Sequence, residues 1–324
     1  MDLVGAIDVG ASKTLVTVRP VAFSAWEPRF PTVCSPTPAT PDALVGALEA
    51  SLARLAAMAG GRIVAAGCGT PGPLDPDRGV IIHSPNQGWR DVPLGPLLEG
   101  RLGVPVRLGD DANTGALGEA ILGAGRGADP VVYVTVSPGI GSGIVVAGHF
   151  LRGAHDSAGE IGHLVIDPAG IRCGCGRRGC IETLAAGGGI ERRARAALAR
   201  AGSERAAWAR AGSDRAATPL TAEAVFRAAR AGDAVARRIV DEAVDALAQA
   251  FAVVVAMIDP ERIVVGGAVG LGQRGYIRRA ASRARQRCLP ESRTRLDVVP
   301  AGLGRESVLA GAAVMAARAR EAAT

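Results

Sequence analysis

The sequence contains a single lysine, Lys13, and only 3% aromatic residues, although its formal net charge is +6. A basic chain that binds nucleic acid by stacking needs aromatic side chains among its cations. Here the arginines gather in Ala/Arg stretches over 190–217 and 277–287 without aromatic interleaving. They read as solvated helix faces, and no nucleic-acid partner is expected. No uncharged apolar run approaches the roughly 20 residues that cross a bilayer, so no membrane partner is expected either. The N-terminus passes directly from Met1 into strand-like Leu3-Val4-Gly5-Ala6-Ile7, without the segments of a secretory signal, which predicts a cytoplasmic location. The cysteines do not form a disulfide framework. Cys34, Cys68 and Cys288 stand apart, while Cys173, Cys175 and Cys180 fall together, which favours a metal.

What is present is enough apolar residue, 48% of 324, for two lobes each with its own core. Strands are expected at 3–9 and 14–18, joined by the turn Gly10-Ala11-Ser12-Lys13, with a helix at 42–58. Further strands at 63–67, 80–83 and 104–108 lead to a helix at 111–122 closed by Gly123. A second lobe opens in the same way, with strands at 131–136 and 143–147 around the turn Ser137-Pro138-Gly139-Ile140-Gly141-Ser142. Helices at 187–200, 221–231 and 234–257, a buried strand at 262–265 and a last helix at 305–317 follow. The expected division is 1–120, joined by the C-terminal helix 305–324, and 121–304. Residues 200–207 recur nearly unchanged at 210–217, which reads as a duplicated surface insertion.

Three constellations carry chemistry. His163, Cys173, Cys175 and Cys180 offer one imidazole and three thiolates, a complete tetrahedral zinc shell with no place left for an activated water, and therefore a structural site. The alternative is three buried free thiols beside an unrelated histidine. Glu160 and Glu182 flank this cluster. With one imidazole nitrogen on the metal, the other N–H can donate to a substrate hydroxyl, so carboxylates and donor together suit a polyhydroxylated ligand. Exposed charges on metal-bound loops are the plainer reading of the two glutamates. The turn after Asp8 brings Gly10, Ser12, Lys13 and Thr14 to a strand end, where they could surround a phosphate while Asp8 holds magnesium through water. An ordinary hairpin turn is the alternative. Finally, Asp110-Asp111 stands where a strand meets a helix: Asp111 reads either as an ionised general base or merely as an N-cap.

These residues together resemble the ROK family (repressor, open reading frame, kinase), which includes bacterial glucokinases. The resemblance runs from Asp8-Val9-Gly10 through Thr70-Pro71-Gly72-Pro73, Ser84-Pro85-Asn86-Gln87 and Asp111-Ala112-Asn113. It continues in Gly159-Glu160-Ile161-Gly162-His163, the cysteine cluster and Val264-Val265-Gly266-Gly267. It implies an α/β fold of two ribonuclease-H-like lobes, of actin-like ATPase or hexokinase type, with the active site in the cleft between them. It implies ATP with Mg²⁺, a structural Zn²⁺ and a small sugar substrate, and a homo-oligomer (dimer or tetramer) is expected. By matching position, Asp111 would be the base; Gly72, Asn86, Glu160, His163 and Glu182 would hold the sugar, with Asp110 beside them. Gly10, Ser12, Lys13 and Thr14 would line the phosphates, with Gly139 and Gly141 opposite and Gly267 near the adenosine. Two positions depart from the family pattern. Ser137-Pro138-Gly139 replaces Gly-Thr-Gly, losing a hydroxyl and a backbone N–H. Asp110 replaces an asparagine, which admits an amino sugar or another hexose besides glucose. A sugar-sensing repressor would carry a winged helix-turn-helix ahead of Asp8, for which no residues are available; a sugar-binding protein without catalysis is the other rival.

Overall fold

The computed structural model describes residues 1–27, 30–84, 87–201 and 220–322. The near-repeat at 200–207 and 210–217 lies outside them apart from its first two residues. The chain divides into two compact units. Unit 1 gathers Met1–Tyr133, Gly143–Ala158 and the chain from Ala301 onward; unit 2 gathers Val134–Ser142 and Gly159–Pro300.

Unit 1 opens with the hairpin of β1 (Asp2–Val9) and β2 (Lys13–Pro20), followed by β3 (Val33–Pro36), α1 (Pro41–Met58) and β4 (Arg62–Thr70). A small antiparallel sheet, β5 (Leu74–Asp75), β6 (Val80–Ser84) and β7 (Trp89–Val92), precedes α2 (Leu94–Leu102), β8 (Val106–Asp110) and α3 (Asp111–Leu122). The main sheet has the order β3-β2-β1-β4-β8, with β1, β4 and β8 parallel. The chain changes unit within β9 (Val131–Val136) and β10 (Ile140–Val146) and returns to unit 1 for β11 (His149–Phe150). Unit 2 then holds α4 (Ile181–Ala185), α5 (Gly187–Ala201), α6 (Ala222–Arg230), α7 (Ala234–Ile258), β12 (Arg262–Gly266), α8 (Ala268–Gly272), α9 (Arg274–Arg287), α10 (Pro290–Arg293) and β13 (Val298–Pro300). The second five-stranded sheet has the order β11-β10-β9-β12-β13, and α11 (Ser307–Ala322) closes the chain in unit 1.

Strand β1 shows why both faces of the first sheet are covered. Alternate side chains leave a strand on opposite faces. Leu3, Ile7 and Val9 pack with Leu44, Leu48, Leu52 and Leu55 of α1, whereas Val4 and Ala6 pack with Leu309, Ala312 and Ala316 of α11. The run is apolar at nearly every position because a helix lies on each side. Helix α11 comes close enough that only glycine fits: a Cβ on Gly311 would lie 1.7 Å from the Thr114 carbonyl, and one on Gly67 2.0 Å from the Ala312 carbonyl.

Several of the described arginines in these stretches are less solvated than composition suggests. In α9, Tyr276, Ile277, Ala280 and Ala284 are buried, and Arg279, Arg283 and Arg287 pair with Asp241 and Asp245 of α7. Arg193 of α5 is nearly enclosed, bonded to Glu242 and to the carbonyls of Leu184 and Ile239.

Glu119 of α3 is fully buried, a position that composition alone would never assign to a carboxylate. Its Oε2 accepts from the N–H of Ala124 (2.8 Å) and Gly302 (2.9 Å), and its Oε1 from the N–H of Leu303 (3.0 Å) and the Ser307 hydroxyl (2.7 Å). One side chain therefore satisfies the backbone at the end of α3 and at the approach to α11. Glu119→Gln would turn an NH₂ group toward backbone donors. We expect it to lower the free energy of unfolding by roughly 2–4 kcal/mol in urea titrations; a change below about 0.5 kcal/mol would show that the carboxylate is dispensable.

Candidate functional site

In unit 1 the candidate residues gather at the carboxyl edge of the parallel strands, where ligands of α/β sheets usually bind. The register pairs Asp8 of β1 with Gly69 of β4, and Thr70 of β4 with Asp110 of β8. Asp8 and Asp110 thus stand two strands apart, about 10 Å. Burial pushes the Asp8 carboxyl up to about 6.

The two adjacent aspartates have different jobs. Asp110 is the N-cap of α3: its Oδ1 accepts from the N–H of Ala112 (3.0 Å) and Asn113 (3.4 Å). Gly72 donates its N–H to the same carboxylate, and a Cβ at Gly72 would lie 3.1 Å from Oδ2. Burial raises the Asp110 pKa, while the three N–H donors act in the opposite direction. Asp111 is the first residue inside the helix and is partly buried, so capping is not its task. The positive end of α3 favours its ionised form.

The β1–β2 turn is built from behind. Gly10 N–H donates to the Lys13 carbonyl (3.0 Å), and a Cβ at Gly10 would come within 2.9 Å of that oxygen. The Thr37 hydroxyl donates to the Gly10 carbonyl (2.8 Å) and lies 3.0 Å from the Thr14 hydroxyl. With the single Thr37 proton spent on Gly10, the Thr14 proton goes to Thr37. Thr14 is only 2% exposed, so it supports the turn and does not line it; Ser12 and Lys13 are the exposed members. Asn86 lies outside the described residues, but its neighbour Gln87 approaches the Gly10 carbonyl (3.5 Å).

In unit 2 the turn at Ser137–Ser142 is fastened at several points. The carbonyls of Ser137 and Pro138 accept from the N–H groups of Gly187 (2.8 Å) and Gly188 (3.0 Å), and the Ser137 hydroxyl accepts from Ala268 N–H (3.1 Å). Gly267, with φ of 82°, passes so close to Val136 that a Cβ would lie 2.4 Å from its carbonyl oxygen. Glu182, at the start of α4, adds a fourth tie. Its Oε2 accepts from Ile140 N–H at 3.1 Å, and a Cβ on Gly139 would sit 2.7 Å from that oxygen.

His163, Cys173, Cys175 and Cys180 place their ligand atoms within 4.8 Å of one another. The Cys175 and Cys180 sulfurs are 3.6 Å apart, as are Cys173 Sγ and His163 Nδ1. A tetrahedral zinc with bonds of about 2.0–2.3 Å spans edges of about 3.3–3.8 Å, so the four residues fit such an ion. Gly179, with φ of 68°, makes the tight knuckle possible: a Cβ there would overlap the Asp167 carbonyl at 1.5 Å. Binding through Nδ1 would leave Nε2 with the proton, facing Glu160 Oε2 at 4.0 Å. Glu160 is 57% exposed and His163 28%, open to a ligand. Glu182 Oε1 reaches Cys173 Sγ at 3.6 Å, so this carboxylate bridges the Cys₃His cluster and the glycine turn.

Residues 4–319 match the ROK family. The chain belongs to that family. Over 208 residues it is 40% identical to a glucokinase of Halalkalibacterium halodurans, an alignment covering 64% of this chain and 62%, less than two thirds, of that protein. Its fold is similar to a ROK hexokinase from Thermus thermophilus, with a TM-score of 0.82 at 36% identity over 97% of both chains. It is also similar to a ROK family glucokinase from Streptomyces griseus, solved with glucose and AMPPNP, with a TM-score of 0.80 at 32% identity over 98% of this chain and 99% of that one.

Among the ROK features, the two departures have local accounts. Aspartate and asparagine cap helices equally well, so Asp110 exchanges one good cap for another. Pro138 lacks an N–H, yet its carbonyl still joins the turn to Gly188. Sequence reasoning missed Thr37 and Glu119, each of which acts through backbone groups distant in the chain.

The raised Asp8 pKa has a pH consequence. The folded state holds this proton more tightly than the unfolded chain, whose value is 3.8. Its stabilising contribution is complete below about pH 4 and is lost as pH rises through about 6. Compared with the ligand-free parent, Asp8→Asn should be more stable at pH 8 by on the order of 2 kcal/mol, with the difference vanishing toward pH 4. A pH-independent difference in thermal unfolding would contradict the desolvation of Asp8.

Proposed function

We propose that this ROK protein is an ATP-dependent sugar kinase that transfers the γ-phosphoryl group of ATP to a hydroxyl of a hexose or hexose derivative. The observation that carries the reading is the division of labour between the two aspartates: Asp110 caps α3, which leaves Asp111 at the positive end of the helix with no capping role. Asp111 takes the proton of the attacking sugar hydroxyl, the hydroxyl oxygen bonds to the γ-phosphorus, and ADP leaves with the bridging electron pair. Asp8 would hold Mg²⁺, which when bound would supply charge neutralisation along the phosphates. Gly10, Ser12 and Lys13 in unit 1 and Gly139 and Gly141 in unit 2 line the phosphates, with Gly267 near the adenosine. Glu160, the Nε2–H of His163, Gly72 and Asn86 hold the sugar, and Glu182 holds the glycine turn.

The cluster His163, Cys173, Cys175 and Cys180 binds one structural Zn²⁺ with no open coordination position. Glucose leads the candidate hexoses, because the Streptomyces griseus relative was solved with it and because Asp110 keeps the capping role of the asparagine it replaces. The protein acts in the cytoplasm as a dimer or tetramer without a nucleic-acid partner. No helix among the described residues is long and apolar enough to cross a membrane.

Asp111→Asn separates base from scaffold. ADP release with glucose, mannose, fructose, glucosamine, N-acetylglucosamine and N-acetylmannosamine identifies the parent's substrate. With that sugar the variant's kcat should fall by about 10² to 10⁴, while the unfolding midpoint and sugar affinity stay near the parent's. Activity within a fewfold of the parent would remove Asp111 as the base.

A further inference from the structure

Unit 2 contains a cavity of about 640 Å³ that shares no lining residue with the candidate site. This volume suits a small ligand. Five arginines line it: Arg230 from α6, Arg237 from α7, and Arg274, Arg278 and Arg279 from α9. Asp241 is the one acid among its described lining residues, and it is already paired with Arg279. Arg230 bonds to the neutral amide of Gln273 (2.9 Å) and Arg237 to the Ala229 carbonyl (3.3 Å). Neither Arg274 nor Arg278 has an acidic partner among the described residues.

The placement of these charges within α9 is the reverse of what a helix prefers. Cations are favourable near a helix C-terminus and unfavourable near its N-terminus. Arg274, Arg278 and Arg279 crowd the first turns of α9, no acid stands in its first turn, and Gln273 at the N-cap makes no side-chain capping bond. Farther along the same helix, Arg283 and Arg287 both meet Asp245. Asp245 thus partly offsets the charge of these later arginines, while Arg274 and Arg278 at the cavity end have no such acid among the described residues. A multivalent anion in the cavity would relieve the clustered guanidinium groups and meet the positive end of α9.

We propose that this cavity is an effector site for a small ligand bearing two or more phosphoryl groups. Guanidinium groups on three helices suit several separated phosphoryl groups better than a single one. The aromatic floor, Phe226 and Tyr276, is only 4% and 3% exposed, so no ring face is open for a nucleobase to stack on. Charge and shape are what this site reads, and the ligand is an inorganic polyphosphate or a sugar bisphosphate.

The test is calorimetric titration of the full chain at about 0.15 M salt, where weak surface attraction is screened, with saturating Mg–AMPPNP present. The probes are tripolyphosphate, fructose 1,6-bisphosphate and inorganic phosphate. The expected result is one site per chain for at least one of the first two, which also tells the sources apart, with inorganic phosphate at least about tenfold weaker. Arg274→Ala/Arg278→Ala should weaken that binding at least about tenfold while leaving the unfolding midpoint and the KM values for ATP and sugar unchanged. Arg230→Gln should weaken it to a smaller extent and serves if the double variant fails to fold. No binding by either probe, binding displaced by AMPPNP, equal binding of inorganic phosphate, or affinity indifferent to the arginine substitutions would each overturn the proposal.

Discussion

The Glu182 carboxylate joins the Cys₃His cluster to the glycine turn of unit 2, with one oxygen 3.6 Å from Cys173 Sγ and the other taking the N–H of Ile140. Three thiolates and a carboxylate in one neighbourhood repel one another unless a cation offsets them. A divalent ion at the cluster would make that crowding tolerable and, bound through Nδ1, would leave the His163 Nε2 proton facing Glu160. The same ion would therefore set the positions of a candidate sugar donor and, through Glu182, of a candidate phosphate turn. Glycines allow the backbone around these elements to pack closely. Gly162 passes so near Ile140 that a Cβ would lie 2.2 Å from its carbonyl oxygen, and Gly159 has φ of 90° against Ser142.

Unit 1 solves a related problem with side-chain hydrogen bonds. Its candidate groups sit on strand ends and a helix start, and their backbone is held by side chains far away in sequence. Thr37 ties the Gly10 turn, and Glu119 secures the backbone leading into α11. Buried hydrogen bonds of this kind fix a loop more tightly than packing alone, because leaving any one of them unmade costs more than making it contributes.

Much of this was legible from residue order. The β1–β2 hairpin, α3 ending before Gly123, and the grouping of His163, Cys173, Cys175 and Cys180 all follow from local patterns of turn residues, periodicity and residue spacing. What was not legible depends on backbone angle or long range. Two consecutive aspartates cannot be told apart as cap and first helical residue until the strand end is located, and β8 runs on to Asp110. Thr14 reads as a phosphate-facing hydroxyl until Thr37, remote in sequence, proves to hold it. That Glu182 also ties the turn carrying Ile140 is not legible until that turn is folded against it. The arginines of α9 look uniformly solvated in composition, whereas Asp241 and Asp245 of α7 pair with only some of them, Arg279, Arg283 and Arg287.

The dependence of the candidate site on the cluster is best tested by removing the metal and measuring two affinities. Cys175→Ser protein, verified to be zinc-free by metal analysis and still folded by circular dichroism, should bind both the sugar and AMPPNP at least about tenfold more weakly than the parent. The sugar would lose affinity through His163 and Glu160, and the nucleotide through Glu182 and the Ile140 turn. Unchanged affinity for both ligands in that zinc-free protein would contradict the account.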